Sequence, residues 1–149
     1  MAEGHAIYSA LKAVMTWKTM SGIQECREAC GGLGYSQYAK LGILRQNWDV
    51  QQTWEGDNNV LLQQTAKYLV DQLKNKYKGK TIDAKTCQWI SIDPAEDEEP
   101  VIKDKADYND PQKLLQVFQH RANVLLQKSI MTLASKLGDM KPLEAWNDT

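Results

Sequence analysis

An all-α fold, an up-and-down bundle of helices, is predicted for this chain by its periodicity and its punctuation. Apolar residues recur at three- and four-residue intervals over long stretches, as on one face of a helix. No stretch alternates apolar and polar residues as a half-buried strand would. The breaks between periodic stretches carry helix punctuation: Asp110-Pro111 opens one segment, and Gly79 and Gly138 close two others.

Taken in order, the first 30 residues read as helix, with Ile7, Leu11, Val14 and Met15 on one stripe and Ile23, Cys26 and Cys30 carrying it onward. Ser21-Gly22 marks a kink or a break. Gly31-Gly32-Leu33-Gly34 stops the helix, because glycine adopts left-handed backbone without steric cost. A short helical stretch from Tyr38 to Arg45 follows, then a polar connection from Gln46 to Thr53 that holds Trp48. A second strong helix runs from Asp57 to Lys76, with Asp57 as cap and Val60, Leu61, Gln64, Tyr68 and Leu73 near one face. Its end is rich in lysine, which suits the negative end of the helix dipole.

From Thr81 to Asn109 the periodicity is lost. Pro94, Pro100 and the acidic cluster Asp93, Glu96, Asp97, Glu98 and Glu99 read as an exposed linker whose start is pinned by Cys87, Trp89 and Ile90. Asp110 caps the last helix and Pro111 occupies its first turn, where a missing N–H is harmless. Leu114, Leu115, Phe118, Ala122, Leu125, Leu126, Ile130, Leu133 and Leu137 form its wide apolar face, and a tail from Asp139 to Thr149 with Pro142 and Trp146 follows Gly138. The expected organisation is a helical domain over residues 1–80, an acidic linker over 81–109 and a further helical segment over 110–149.

Bulk properties exclude several classes of function. A formal net charge of -1 lacks the basic excess that a nucleic-acid partner demands. No apolar run reaches the roughly 18 residues that span a bilayer, and Met1 to Tyr8 lacks the pattern of a signal peptide. Cys26 and Cys30 stand one helical turn apart, but no matching pair follows, so no metal site is expected. Three cysteines also make no disulfide framework, which points to a reducing compartment.

Two segments draw attention as chemistry. Cys30-Gly-Gly-Leu-Gly-Tyr35 is a tight turn, and Thr53-Trp-Glu-Gly-Asp-Asn-Asn59 stands ahead of a helix. On composition alone the first reads as a helix-to-helix connection. The second reads as an N-terminal cap in which Glu55 and Asp57 face the positive end of the dipole.

In their order and spacing, however, Gly22-Ile-Gln-Glu-Cys-Arg-Glu-Ala-Cys-Gly-Gly-Leu-Gly-Tyr35, Leu44-Arg45 and Thr53-Trp-Glu-Gly-Asp-Asn-Asn-Val-Leu-Leu-Gln-Gln-Thr65 resemble the peroxisomal acyl-CoA oxidase family. The similarity is greatest to the branch that acts on branched-chain acyl-CoAs, and it is strongest over residues 5–73. His120-Arg121-Ala122 resembles the start of that family's second helical domain. The resemblance implies a fragment of the family's C-terminal helical half, from an enzyme of the peroxisome that uses FAD and acts as a homodimer. That enzyme desaturates an acyl-CoA to the trans-2-enoyl-CoA and reduces O2 to H2O2.

It further implies that Glu55 is the base that removes the α-proton of the thioester, with Gly56 beside it leaving room for substrate. Gly31 and Gly32 match a glycine pair that approaches FAD from a neighbouring subunit, and Asp57 and Asn59 match positions that contact the cofactor. Leu33 stands where the family commonly has histidine, Gln46 where an acidic residue is usual, and Trp54 where tyrosine or phenylalanine is commoner. The isolated chain is expected to be inactive, since the flavin and substrate domains are absent. A non-catalytic helical protein that dimerises or binds the complete enzyme, and an acyl-CoA dehydrogenase relative, are the alternative readings.

Overall fold

A computed structural model describes residues 2–82, 84–93 and 102–147. Its helices are α1 (Ala2–Ala29), α2 (Gly31–Tyr35), α3 (Leu41–Asp49), α4 (Asn58–Tyr77), α5 (Pro111–Lys136) and α6 (Pro142–Asn147), with short 3-10 turns between them. Among the described residues there is no strand, in keeping with the all-α expectation. The chain divides into two compact units, Met1–Tyr68 and Leu69–Thr149.

In the first unit, α1 runs unbroken through Ser21-Gly22, where a kink was expected. One glycine costs a helix only about 1 kcal/mol relative to alanine, too little to interrupt an element of this length. The expected apolar stripe is not the buried face. Ile7, Leu11, Val14 and Met15 are all exposed, whereas Ala6, Ser9, Ala13 and Met20 are buried. Three of these four residues are small, and small residues let a neighbouring backbone come close. Thr65 Oγ1 accordingly donates to the carbonyl of Ala6 at 3.0 Å, and His5 Nε2 lies 2.6 Å from Gln64 Oε1.

The glycine run does end α1, with Gly31 at φ +56°, and the run itself, with Tyr35, then forms the short helix α2. Gly34 is where α2 meets the end of α1: a Cβ there would lie 1.9 Å from the carbonyl oxygen of Arg27. Ser36 then caps a 3-10 turn, Gln37–Ala39, by accepting from the Tyr38 N–H. Lys40, at φ +56°, separates that turn from α3. The helix expected from Tyr38 to Arg45 is therefore split at Lys40. Residues 46–49, expected as a polar connection, continue α3, because a polar stretch without proline or glycine does not stop a helix.

In the second unit, α4 closes as its sequence predicts. Gly79 stands at φ +70°, its N–H donates to Lys76 O at 2.9 Å, and the Lys80 N–H donates to Asn75 O at 3.0 Å. These paired bonds are the Schellman arrangement that satisfies the last carbonyls of a helix. Val70 and Leu73 on α4 are buried, as are Ile82, Ala84, Cys87 and Ile90 after it. Cys87 and Ile90 thus pin this stretch as expected, with Ile82 and Ala84 buried ahead of them, and their 3-10 turn, Lys85–Ser91, lies against α5. Asn123 of α5 fastens it, donating from Nδ2 to the carbonyls of Trp89 (3.0 Å) and Ile92 (2.8 Å). Pro94, Glu96, Asp97, Glu98, Glu99 and Pro100 lie outside the described residues.

The start of α5 matches expectation. Asp110 Oδ1 accepts from the Gln112 N–H at 2.9 Å, and Pro111 fills the first turn. Its apolar face is only partly covered: Leu115, Phe118, Leu125 and Leu137 are exposed, and the one buried position on the helix is Asn123. In the tail, Pro142–Asn147 form α6, with Ala145 fully buried and α6 lying against α5. Just ahead of α5, Asp107 is buried and paired with Lys113, and it also accepts from the Lys103 N–H at 2.8 Å. The Lys113 ammonium, aided by that backbone bond, holds the Asp107 carboxyl below the usual carboxylate range; Asp107 in turn raises the Lys113 ammonium.

Candidate functional site

The segment from Thr53 to Asn59 comprises a turn after the 3-10 turn Val50–Gln52 and the first two residues of α4. It is built by short-range bonds. The Trp54 N–H donates to Val50 O at 3.0 Å, Thr53 Oγ1 donates to the same carbonyl at 3.1 Å, and Trp54 Nε1 donates to Gln51 Oε1 at 2.8 Å. At Glu55 the backbone turns left-handed, with φ +55°, and Gly56 follows at φ +104°. A side chain on Gly56 would also meet Leu61, whose Cδ2 would be 2.9 Å from the new Cβ. Glycine is thus favoured at 56 by its conformation, and any larger residue would also have to displace the Leu61 side chain.

Left-handed backbone at a glutamate is disfavoured by roughly 1–3 kcal/mol and persists only where the surroundings over-determine it. Here the surroundings are α4 and α1. Asp57 Oδ1 accepts from the N–H groups of Asn59 (2.9 Å) and Val60 (3.4 Å), so the cap expected at 57 is formed. Asn58 is 1% exposed. Its Nδ2 donates to Thr16 Oγ1 at 2.9 Å and Ala13 O at 3.4 Å, and its Oδ1 accepts from Lys12 Nζ at 2.8 Å. The same ammonium donates to Gly56 O at 2.7 Å.

Sequence reasoning passed over both Lys12 and Asn58. The available signal was the spacing of Ser9, Ala13, Thr16 and Met20, a small and polar stripe that marks the packed face of α1 and has Lys12 on its edge.

Of the residues expected to serve chemistry, Glu55, Gly56, Asp57 and Asn59 stand together in this turn. Glu55, Gly56 and Asn59 are exposed, and Asp57 is half-buried. Gly31 and Gly32 are exposed at the start of α2, with nothing within 4 Å of where a Cβ would stand. They present bare backbone that a flat ligand can approach closely. This fits a cofactor reaching α2 from outside, as does Asp57, whose second carboxylate oxygen is not used by the cap.

Next to the glycine turn lies a cleft of about 560 Å3 whose lining includes Gln24, Arg27, Tyr35, Gln37, Arg45 and Gln46; neither Glu55 nor the Gly31-Gly32 pair lines it. Among the described residues no group of three or more histidine, cysteine or acidic side chains is placed to hold a metal. No helix there is long and apolar enough to cross a membrane.

Comparison with known proteins places these features in context. The acyl-CoA oxidase C-alpha1 domain matches residues 1–70. Peroxisomal acyl-coenzyme A oxidase 3 of Homo sapiens is 54% identical over 74 residues, covering 50% of this chain and 11% of the human protein. The peroxisomal acyl-coenzyme A oxidase 2 of Arabidopsis thaliana is 34% identical over 155 residues, which is 99% of this chain and 22% of the plant protein. Among solved structures, acyl-CoA oxidase-1 of Caenorhabditis elegans, complexed with FAD and ATP, superposes with a TM-score of 0.86 at 29% identity, over 99% of this chain and 22% of the nematode one. The chain therefore spans less than a quarter of the length of these relatives.

Proposed function

Since the chain belongs to the acyl-CoA oxidase family, we propose that it carries the catalytic base of an FAD-dependent acyl-CoA oxidase, with Glu55 as that base. The observation that supports this most is the backbone at Glu55 and Gly56. Two consecutive left-handed residues lift a carboxylate out at the N-terminal approach to α4, where it is exposed and no hydrogen bond or ion pair among the described residues engages it. A base must be open to its substrate and free to accept a proton.

In the proposed reaction the Glu55 carboxylate takes the proton from the carbon next to the thioester carbonyl. Two electrons leave the next carbon as hydride while the carbon–carbon double bond forms, giving the trans-2-enoyl-CoA. When bound, FAD would supply the acceptor for that hydride and its reoxidation by O2; the hydride's two electrons and proton, together with the proton taken by Glu55, balance the H2O2 formed. The α-proton is so weakly acidic that the enolate-like charge must be stabilised as it develops. The Glu55 N–H, held in the same turn, is suited to donate to the thioester oxygen, and Gly56 leaves the acyl chain room. Gly31 and Gly32 would meet FAD held by a second subunit of a homodimer, and Asp57 and Asn59 would contact the same cofactor at the start of α4. The isolated chain is inactive in this reading, because the rest of the cofactor and substrate site lies in other domains.

In the same reading, residues 1–80 are part of the C-terminal helical domain, 81–109 an acidic linker, and 110–149 the start of a second helical domain. The peroxisome is the compartment, as for the named relatives. The test is Glu55→Gln in the full-length enzyme. It should bind acyl-CoA and FAD yet lose flavin reduction and peroxide formation; a fully active variant would refute the assignment. Peroxide release by the parent enzyme separates an oxidase from a dehydrogenase that hands its electrons to another protein.

A further inference from the structure

We propose that Lys12 is a positioning residue for the Glu55 base, fixing the backbone of the turn that carries it; this rests on Glu55 being the base. Gly56 is the weak point of that turn. Glycine reaches many conformations at little cost, so without an outside restraint on its carbonyl Gly56 could change conformation and the Glu55 carboxylate would swing with it. The restraint comes from a residue 44 positions away. Lys12 Nζ donates to Gly56 O at 2.7 Å and to Asn58 Oδ1 at 2.8 Å, and so grips the turn on both sides of Asp57.

Both bonds have an ionised donor, which makes them shorter and stronger than neutral ones. The second acceptor is itself immobile. Asn58 is 1% exposed, and its Nδ2 is tied to Thr16 Oγ1 and Ala13 O on α1. Thr16 in turn donates to Lys12 O at 2.8 Å, closing the network onto the backbone that carries Lys12. Among the described residues the Lys12 ammonium is paired with no carboxylate, so its donors are given to the turn. The result is a frame of Lys12, Thr16 and Asn58 that holds Gly56 at φ +104° and, through it, Glu55 at φ +55°.

A displacement of about 1 Å at a reacting group can cost roughly a hundredfold in rate. Lys12→Met in the full-length, FAD-loaded enzyme should therefore slow anaerobic flavin reduction by acyl-CoA, measured per bound flavin, by about ten- to a hundredfold. The KM for acyl-CoA should change by less than about threefold, because the contacts this turn makes with the thioester strengthen chiefly as the enolate-like charge develops. Lys12→Arg, which keeps charge and donors at a different reach, should fall between the two. Backbone hydrogen exchange in the peptide covering residues 53–60 should quicken in Lys12→Met, a readout independent of turnover.

An undiminished rate per bound flavin would overturn the proposal even if the melting temperature fell. A loss confined to KM, or unchanged exchange over 53–60, would do the same. If Lys12→Met yields no holoenzyme, the rate of Lys12→Arg decides: slowed supports the proposal, unchanged refutes it. Glu55→Gln measured in parallel keeps the two readings apart. If it retains full flavin reduction, the base assignment fails; if it is dead while Lys12→Met is fully active, only the role of Lys12 fails.

Discussion

Replacing Gly34 by alanine isolates the contact that sets α2 against α1. Gly34 is buried, and an added Cβ would stand 1.9 Å from Arg27 O, 2.8 Å from Arg27 C and 3.1 Å from Cys30 Cβ. A carbon and a carbonyl oxygen come no closer than about 3.3 Å without repulsion, so α2 would have to retreat by roughly 1.4 Å. The obstructing atoms are backbone of a helix and cannot turn aside as a side-chain tip can. Overpacking of this kind costs about 3 kcal/mol or more. Against it stands the gain of alanine over glycine in a helix, about 1 kcal/mol.

The clash wins, with a net loss of about 2 kcal/mol, or roughly 6 °C in melting temperature for a chain of this size. The assay is urea unfolding of the chain followed by circular dichroism, with Gly42→Ala as control. Gly42 is helical and has nothing within 4 Å of a new Cβ, so that variant should be unchanged or stabilised by up to about 1 kcal/mol. If Gly34→Ala were as stable as Gly42→Ala, the close approach of α2 to α1 would be refuted. Under the proposal that Gly31 and Gly32, on the same short helix, meet FAD, a retreat of α2 should also weaken FAD retention in the full-length enzyme.

The remaining predictions concern the second unit. Asp107 has its carboxyl pKa lowered by Lys113, so the pair stabilises the fold above the ordinary carboxylate value of about 3.9. That contribution is lost as pH falls through the lowered folded value. Lys113 is raised, so its share is present below the ordinary lysine value and is lost as pH rises through the higher folded one. Lys113→Met should therefore flatten both limbs of the stability–pH curve, and an unchanged acid limb would count against the pairing. Asn123→Ala should cost about 2 kcal/mol by thermal unfolding, from two hydrogen bonds to the carbonyls of Trp89 and Ile92. A change under about 0.5 kcal/mol would mean that residues 85–92 are held by packing alone.

What could be read from the chain itself was whatever depends on neighbours in sequence. Asp57 and Asp110 cap helices because their carboxylates reach N–H groups two and three residues on, and Gly79 ends α4 because only glycine takes its conformation cheaply. The helical period was equally plain, and so was the kinship of the segments around Gly31 and Glu55.

The choice of face was not legible. Ile7, Leu11, Val14 and Met15 make the stronger apolar pattern on α1, yet Ala6, Ser9 and Ala13 are buried, because small residues admit a close neighbour and periodicity does not say which neighbour arrives. Nor did sequence reveal that residues 46–49 extend α3, that residues 142–147 form a helix, or that Ile82 and Ala84 are buried ahead of Cys87 and Ile90. The left-handed backbone at Glu55 and the grip of Lys12 on Gly56 belong to the same class. They join residues 44 to 46 positions apart, and a bond between such distant partners exists only once the chain has folded back on itself.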